Sequence, residues 1–255
     1  MVIVAFDALD HVLVDKFMMD GLKQAQNGVI DLTQHYRGGG LLDTITDEVF
    51  ATFITGMVPD EHGVKLPIDM GFTLSGNHPT IFNLTDSVAV DVPSWNRNHQ
   101  HFLFQNRVGW YLGKEKHREA INMDSKEYWG KVENEKNTLV PDLYNYIEEE
   151  KLERIKEALQ QNKSLTMIYF WFTDIQGHVQ KHPPKSMYDT ALMLFRLIKS
   201  YGGDDTLYII MSDHGMIEGH HRTEGFWSLS KPLLEDNGYI DMTEWYSKIQ
   251  EWLEL

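Results

Sequence analysis

Two acid–histidine pairs stand out in the chain. DIQGH, residues 174–178, sets Asp174 and His178 four positions apart, and SDHGM, residues 212–216, puts Asp213 directly beside His214. A third imidazole, His221, follows in HHRTEGFW, and Asp7 closes the opening run VIVAF. Burying carboxylates and imidazoles costs free energy unless they are paired or bound to something. Three carboxylates and three imidazoles at one place would suffice for two metal ions sharing a substrate, with the open position that catalysis needs. Paired metals stabilise both the attacking and the leaving oxygen in phosphoryl transfer. The chain has no cysteine, so a metal must take His and carboxylate ligands.

That chemistry needs a nucleophile. The candidate is Thr46, in TITDEVFATFITGMVPDEHGV (44–64), just before a segment that reads as a helix ending at Gly56. A helix start directs free N–H groups and a positive dipole end at whatever sits there, which suits a phosphate. A metal on the Thr46 oxygen would make it nucleophilic near neutral pH. The plain alternative is that Thr46 is an N-cap, the commonest task of a threonine before a helix, and the two roles are compatible.

The elements that must position these groups can be read from the apolar runs. VIVAF (2–6), SVAVDV (87–92), LTMIYFWF (165–172) and TLYIIM (206–211) have the continuous apolar character of strands buried on both faces of a parallel sheet. EVFATFI (48–54), EEEKLERIKEALQQN (148–162) and SMYDTALMLFRLIKSY (186–201) have helical periodicity. Strands alternating with helices predict an α/β fold: a three-layer sandwich around a largely parallel sheet. Ligands of such sheets bind beyond the carboxyl ends of the strands, where Asp7, Asp174 and Asp213 fall. Residues 94–145 are polar, rich in aromatics and without a long buried-strand run, and read as a small cap or insertion within one catalytic domain spanning 1–255. The formal charge of −15 argues against a nucleic-acid polymer or an anionic membrane as partner. With no apolar run of membrane-spanning length and no basic segment before VIVAF, a cytoplasmic location is expected.

Taken in order, these segments resemble the type I phosphodiesterase/nucleotide pyrophosphatase branch of the alkaline phosphatase superfamily. FATFITGMVPDEHGV is similar to that family's stretch from the nucleophile helix through T-G-x-x-P-x-x-H-G-[IV]. DIQGH is similar to its D-x-x-G-H, SDHGM to its S-D-H-G-M, and HHRTEGFW to its H-R-P-E-G-[IF]. FDALD stands in the place of its first strand end, and PTIFNL followed by SVAVDVP resembles the helix and strand after H-G-I. Residues 94–145 have no counterpart. The resemblance implies an alkaline phosphatase-like fold and two divalent metal ions, zinc or else manganese. Asp174, His178 and His221 would hold one. Asp7, Asp213 and His214, with the Thr46 oxygen, would hold the other. It further implies that Thr46 attacks phosphorus and that water then hydrolyses the phosphothreonine of a small phosphate-ester substrate, with diesters or pyrophosphates favoured.

Two departures bear on the substrate. The family often has T-F-P-N at the nucleophile, where this chain has Thr46-Asp47-Glu48-Val49. Nucleotide-cleaving members also carry a phosphate-contacting Asn after H-G-I-V, where this chain has Pro67; Asn77, Asn96 or Asn98 could substitute. A phosphomonoesterase or phosphonate hydrolase on the same fold is the first alternative, and a non-catalytic metal-dependent binding protein the second. His62 is expected to pack the turn after the nucleophile helix, and His35, His182 and His220 to be solvated.

Overall fold

The computed structural model describes residues 1–35, 46–64, 74, 78–96, 151–174, 177, 183–218, 220–235 and 238–254. The chain divides into two compact units, Met1–Asn96 with Ile155–Leu255, and Arg97–Arg154. Most of the second unit, and with it residues 97–145 of the expected insertion, lies outside the described residues.

The first unit is built on β1 (Val2–Phe6), the short helices α1 (His11–Lys16) and α2 (Asp20–Lys23), β2 (Gln26–Asp31), α3 (Thr46–Thr55), α4 (Pro59–His62) and β3 (Ser87–Val90). A helix α5 over 151–160 precedes β4 (Leu165–Phe170). Then come α6 (Lys185–Gly202), β5 (Tyr208–Met211), the hairpin β6 (Met216–Ile217) and β7 (His220–His221), β8 (Glu224–Leu229), β9 (Tyr239–Asp241) and α7 (Trp245–Leu253). Seven strands form one sheet in the order β3-β4-β1-β5-β8-β2-β9. β8 pairs antiparallel with β5 and with β2, while every other pair is parallel, so β8 alone runs against the rest.

Register and the two-residue period of a strand fix the layers. Val2 lies opposite Thr166 and Tyr208, and Ala5 opposite Tyr169 and Met211. Side chains an odd number apart point to opposite faces, so Tyr169 and Tyr208 project from opposite sides of the sheet. Phe50 of α3 meets the Tyr169 ring edge-on at 5.1 Å, and Phe195 of α6 meets Tyr208 at 6.0 Å. Helices therefore cover both faces, which fits a three-layer sandwich. The expected strands appear as β1, β3, β4 and β5; β3 stops at Val90 because Asp91 turns away at φ 58.

Central strands β1, β4 and β5 are buried at every position, as strands covered on both faces must be. Helix α3 is buried from Glu48 to Thr55, which its apolar residues on all sides permit. Among the described residues no helix is long and apolar enough to cross a membrane.

Candidate metal centre

The parallel strands β1, β4 and β5 deliver Asp7, Asp174 and Asp213 to one edge. Asp7 follows β1 directly and stays in the ladder, its N–H donating to Phe170 carbonyl at 2.8 Å. The Thr173 hydroxyl donates to the Asp7 carbonyl. The chain then turns through Ala8 at φ 55, a left-handed conformation that costs an alanine roughly 1 kcal/mol. That turn aims Ala8 N–H at Asp213 Oδ1 (3.3 Å) and Leu9 N–H at the Ser212 hydroxyl (2.8 Å). Ser212 in turn donates to the His214 carbonyl at 2.6 Å, so the loops after β1 and β5 are stitched together around the two carboxylates.

Asp10 ties in the histidine loop. Its Oδ1 caps α1 through Val12 and Leu13 N–H groups, its Oδ2 accepts from Met216 N–H at 3.0 Å, and Arg222 Nε lies 3.7 Å from the same oxygen. A Cβ on Gly215 would stand 2.5 Å from Asp10 Oδ2, and one on Gly177 would stand 2.7 Å from Met216 Cγ. The glycines of DIQGH and DHGM are thus sites of close approach that let the two loops and the Asp10 anchor pack together.

Two groups of donors result. Asp7, Asp213 and His214 form one, and Asp174, His214 and His221 the other, each with its ligand atoms within 4.8 Å of one another. His214 Nε2 is 3.3 Å from Asp7 Oδ1 and 3.5 Å from Asp213 Oδ2, and His221 Nε2 is 3.2 Å from Asp174 Oδ1. Donors about 2 Å from a tetrahedral ion are about 3.3 Å apart, so these spacings suit Zn²⁺. His214 and His221 stack with ring centroids 3.7 Å apart.

The electrostatics agree with that geometry. His214 Nδ1 contacts the Gly215 carbonyl at 3.1 Å, which fixes the proton on Nδ1 and leaves Nε2 with its lone pair, the form that binds a metal. Burial pushes the His214 imidazole down to about 4, so it is neutral at pH 7 and no salt-bridge partner for the carboxylates. Burial, then the neighbouring Asp213 and Asp174, hold the Asp7 carboxyl well above its ordinary range. Asp7 Oδ1, Asp213 Oδ2 and His214 Nε2 are buried and have no hydrogen-bond partner among the described residues. Two carboxyls and an imidazole lone pair converging in this way are costly unless a proton or a cation lies between them, and a cation satisfies all three.

Thr46 is brought to this cluster: its hydroxyl lies 3.5 Å from Asp7 Oδ2. It does not stand before the helix as expected but within it, as the first described residue of α3. His178, Pro67, Asn77 and Asn98 lie outside the described residues. Asn96 has other work, its side chain donating to Ala89 carbonyl (2.6 Å) and accepting from Val92 N–H (3.0 Å). His220 is exposed in β7 while its neighbour His221 reaches the cluster. His62 packs the turn, its Nδ1 accepting from Val64 N–H at 3.1 Å and its Nε2 meeting the Thr52 hydroxyl at 3.0 Å. His35, expected in solvent, is instead buried with Nδ1 3.6 Å from the equally buried Glu48. Tyr169 was not expected at the site, yet its hydroxyl donates to Asp7 Oδ2. A tyrosine inside an otherwise apolar strand is the signal that could have found it, since a buried hydroxyl needs a partner.

No family model matches the chain, and no curated protein matches it.

Proposed function

We propose that the protein is a metal-dependent hydrolase of phosphate esters, acting through a phosphothreonine on Thr46, with diester or pyrophosphate bonds favoured. The observation that carries this reading is the Thr46 hydroxyl set 3.5 Å from Asp7 at the rim of the Asp7–Asp213–His214 and Asp174–His214–His221 groups. Two divalent ions, zinc or else manganese, one held by Asp7, Asp213 and His214 and the other by Asp174 and His221 with His178, would supply Lewis acidity to the phosphoryl oxygens. The chain's own residues do the rest. Asp7 Oδ2 offers an acceptor for the Thr46 proton as Oγ1 attacks phosphorus and the alcohol or phosphate leaves. The first turn of α3, which holds Thr46, offers its positive dipole end to the charge that builds on the equatorial oxygens. Water then attacks the phosphothreonine and restores the hydroxyl.

A specific observation also favours the monoesterase alternative. The acids after Thr46 are directed elsewhere: Glu48 lies buried beside His35, and Asp47 Oδ1 accepts from Ser94 N–H at 3.3 Å. They bar a dianionic ester less than their sequence position suggests. The test is turnover of aryl phosphate esters by Zn²⁺- or Mn²⁺-loaded protein, with Thr46→Ala as control. Loss of the nucleophile should lower the rate by orders of magnitude, while loss of one weak hydrogen bond costs about 1 kcal/mol or less of stability. Thr46→Ser should retain activity. Thr46→Ala at the wild-type rate would remove the assignment. Metal uptake without turnover of any ester would point to the non-catalytic binding protein.

A further inference from the structure

The two oxygens of Asp7 are not equivalent. Oδ2 accepts from the Tyr169 hydroxyl and is approached by that of Thr46 at 3.5 Å, whereas Oδ1 has no hydrogen-bond partner among the described residues and lies 3.3 Å from His214 Nε2. The main chain of Asp7 is already fixed on both sides, by Phe170 and by Thr173. What remains free is rotation of its carboxyl group, and Tyr169 is placed to stop it. The strand register accounts for that placement. Tyr169 of β4 lies opposite Ala5, whose side chain is small, and Asp7 is two residues further along the same face. The phenol passes over Ala5 and reaches Asp7, with its ring held edge-on by Phe50.

We propose that Tyr169 is a positioning residue of the metal centre: its hydroxyl commits Asp7 Oδ2 to the protein, leaving Oδ1 alone to meet a cation and orienting Oδ2 toward Thr46. The proposal rests on the reading of Asp7, Asp213 and His214 as metal ligands. It goes beyond that reading by assigning the two carboxylate oxygens different tasks. Partners behind a ligand commonly set its orientation, and their loss weakens metal binding by about 10–100-fold.

The experiment uses Co²⁺ as probe on the full chain stripped with EDTA, because its visible absorption weakens as coordination number rises above four. Tyr169→Phe keeps the ring and its contact with Phe50 and removes only the donor. The freed Oδ2 can then chelate alongside Oδ1. The expected result is a Kd for Co²⁺ raised tenfold or more, with a weaker visible band at saturation. Phe50→Leu loosens the same packing without touching the hydroxyl, and should lower Tm while leaving Kd and band unchanged. Wild-type Kd and band in Tyr169→Phe would overturn the proposal, as would an equal change in both variants. Wild-type protein that binds no Co²⁺ at all would remove the metal centre and the proposal with it, an outcome distinct from the other two.

Discussion

Asp213→Asn should stabilise the metal-free protein and make the same protein indifferent to metal. Asp213 is wholly buried, and its carboxylate is one of three donor groups within 4.8 Å. Without a cation it faces Asp7 across that gap. Two unit charges no more than 4.8 Å apart repel by about 3 kcal/mol or more at an effective dielectric of about 20. Asp7 escapes part of this by holding its proton, so the realised relief is about 1–3 kcal/mol. Asparagine keeps Oδ1 as acceptor for Ala8 N–H, which Asp213 now receives at 3.3 Å. Its Nδ2 then takes the place of Oδ2, 3.5 Å from the lone pair of His214 Nε2, and can donate to it. An acceptor becomes a donor beside another acceptor, and no heavy atom is added.

Metal reverses the order. A ligand at about a hundred times its Kd stabilises the native state by about 2.7 kcal/mol. Wild type should gain this, and Asp213→Asn should gain almost none of it. For a chain of this size 1 kcal/mol corresponds to about 2–4 °C in Tm. Melting curves in EDTA should therefore place the variant about 2–12 °C above wild type, and curves in excess Zn²⁺ should remove or invert that difference. A variant less stable than wild type in EDTA, or one that gains as much from Zn²⁺, would refute the view that the carboxylates are held apart from partners for a cation.

His221→Ala should weaken metal uptake and depress turnover strongly, because its Nε2 is 3.2 Å from Asp174, while His220→Ala on the exposed side of the hairpin should leave both near wild type; elemental analysis and ester turnover decide. The pH dependence has a definite sign. His214 is lowered to about 4, so in the metal-free protein its contribution is complete above the unfolded value near 6.5 and is lost as pH falls toward 4. Asp7 is raised, so its contribution is present below the ordinary carboxylate value and is lost as pH rises through the folded one. A cation requires both groups deprotonated, so the Zn²⁺-induced rise in Tm should be larger at pH 7 than at pH 5. Calorimetry in buffers of different ionisation enthalpy should show protons released on binding at pH 5; a rise independent of pH would count against Asp7 and His214 as ligands.

Some elements were legible in the sequence because their environment leaves only one reading. β1, β4 and β5 are covered on both faces, so they read as unbroken apolar runs. β2 and β8 do not, and both were missed. β2 carries Gln26, Asn27, Gly28 and Asp31 and is half-buried over most of its length. β8 is buried, but Gly225 is imposed by the Ser212 carbonyl, 2.3 Å from where a Cβ would stand, and Ser228 is spent on hydrogen bonds to Leu22 carbonyl and Gln24. Polar residues satisfied by tertiary contacts look like loop residues in one dimension. The site divides in the same way. Asp7, Asp174 and Asp213 announce themselves by ending apolar runs. Tyr169 and Asp10 act through partners distant in sequence, Tyr188 and Met216 among those of Asp10. His35 is buried only because Glu48 comes to meet it, a pairing that no local pattern encodes.

Substrate class is where sequence and structure pull apart. Asp47 and Glu48 beside Thr46 suggest a site hostile to the dianion of a monoester and more tolerant of a diester monoanion. At about 4 Å one extra charge costs roughly 1–4 kcal/mol, enough for a strong preference. Yet Glu48 is directed into a buried contact with His35, and Asp47 spends Oδ1 on Ser94 N–H while its carbonyl accepts from the Ser94 hydroxyl at 2.7 Å. Asp47 then serves to fix the start of α3 against the 92–96 turn and Glu48 to meet His35, and the diester preference rests on the resemblance rather than on their charge. An aryl diester should still be cleaved with higher kcat/KM than the matching monoester. Asp47→Asn, which keeps the acceptor for Ser94 N–H, should change the ratio of the two by less than about twofold, or about 0.4 kcal/mol. A tenfold swing toward the monoester would mean that the Asp47 charge reaches the phosphoryl site despite its bond to Ser94, and that electrostatics beside the nucleophile does select the substrate. A monoester preference in the unaltered protein, with the ratio unmoved by Asp47→Asn, would instead make it a phosphatase whose specificity is set elsewhere in the chain.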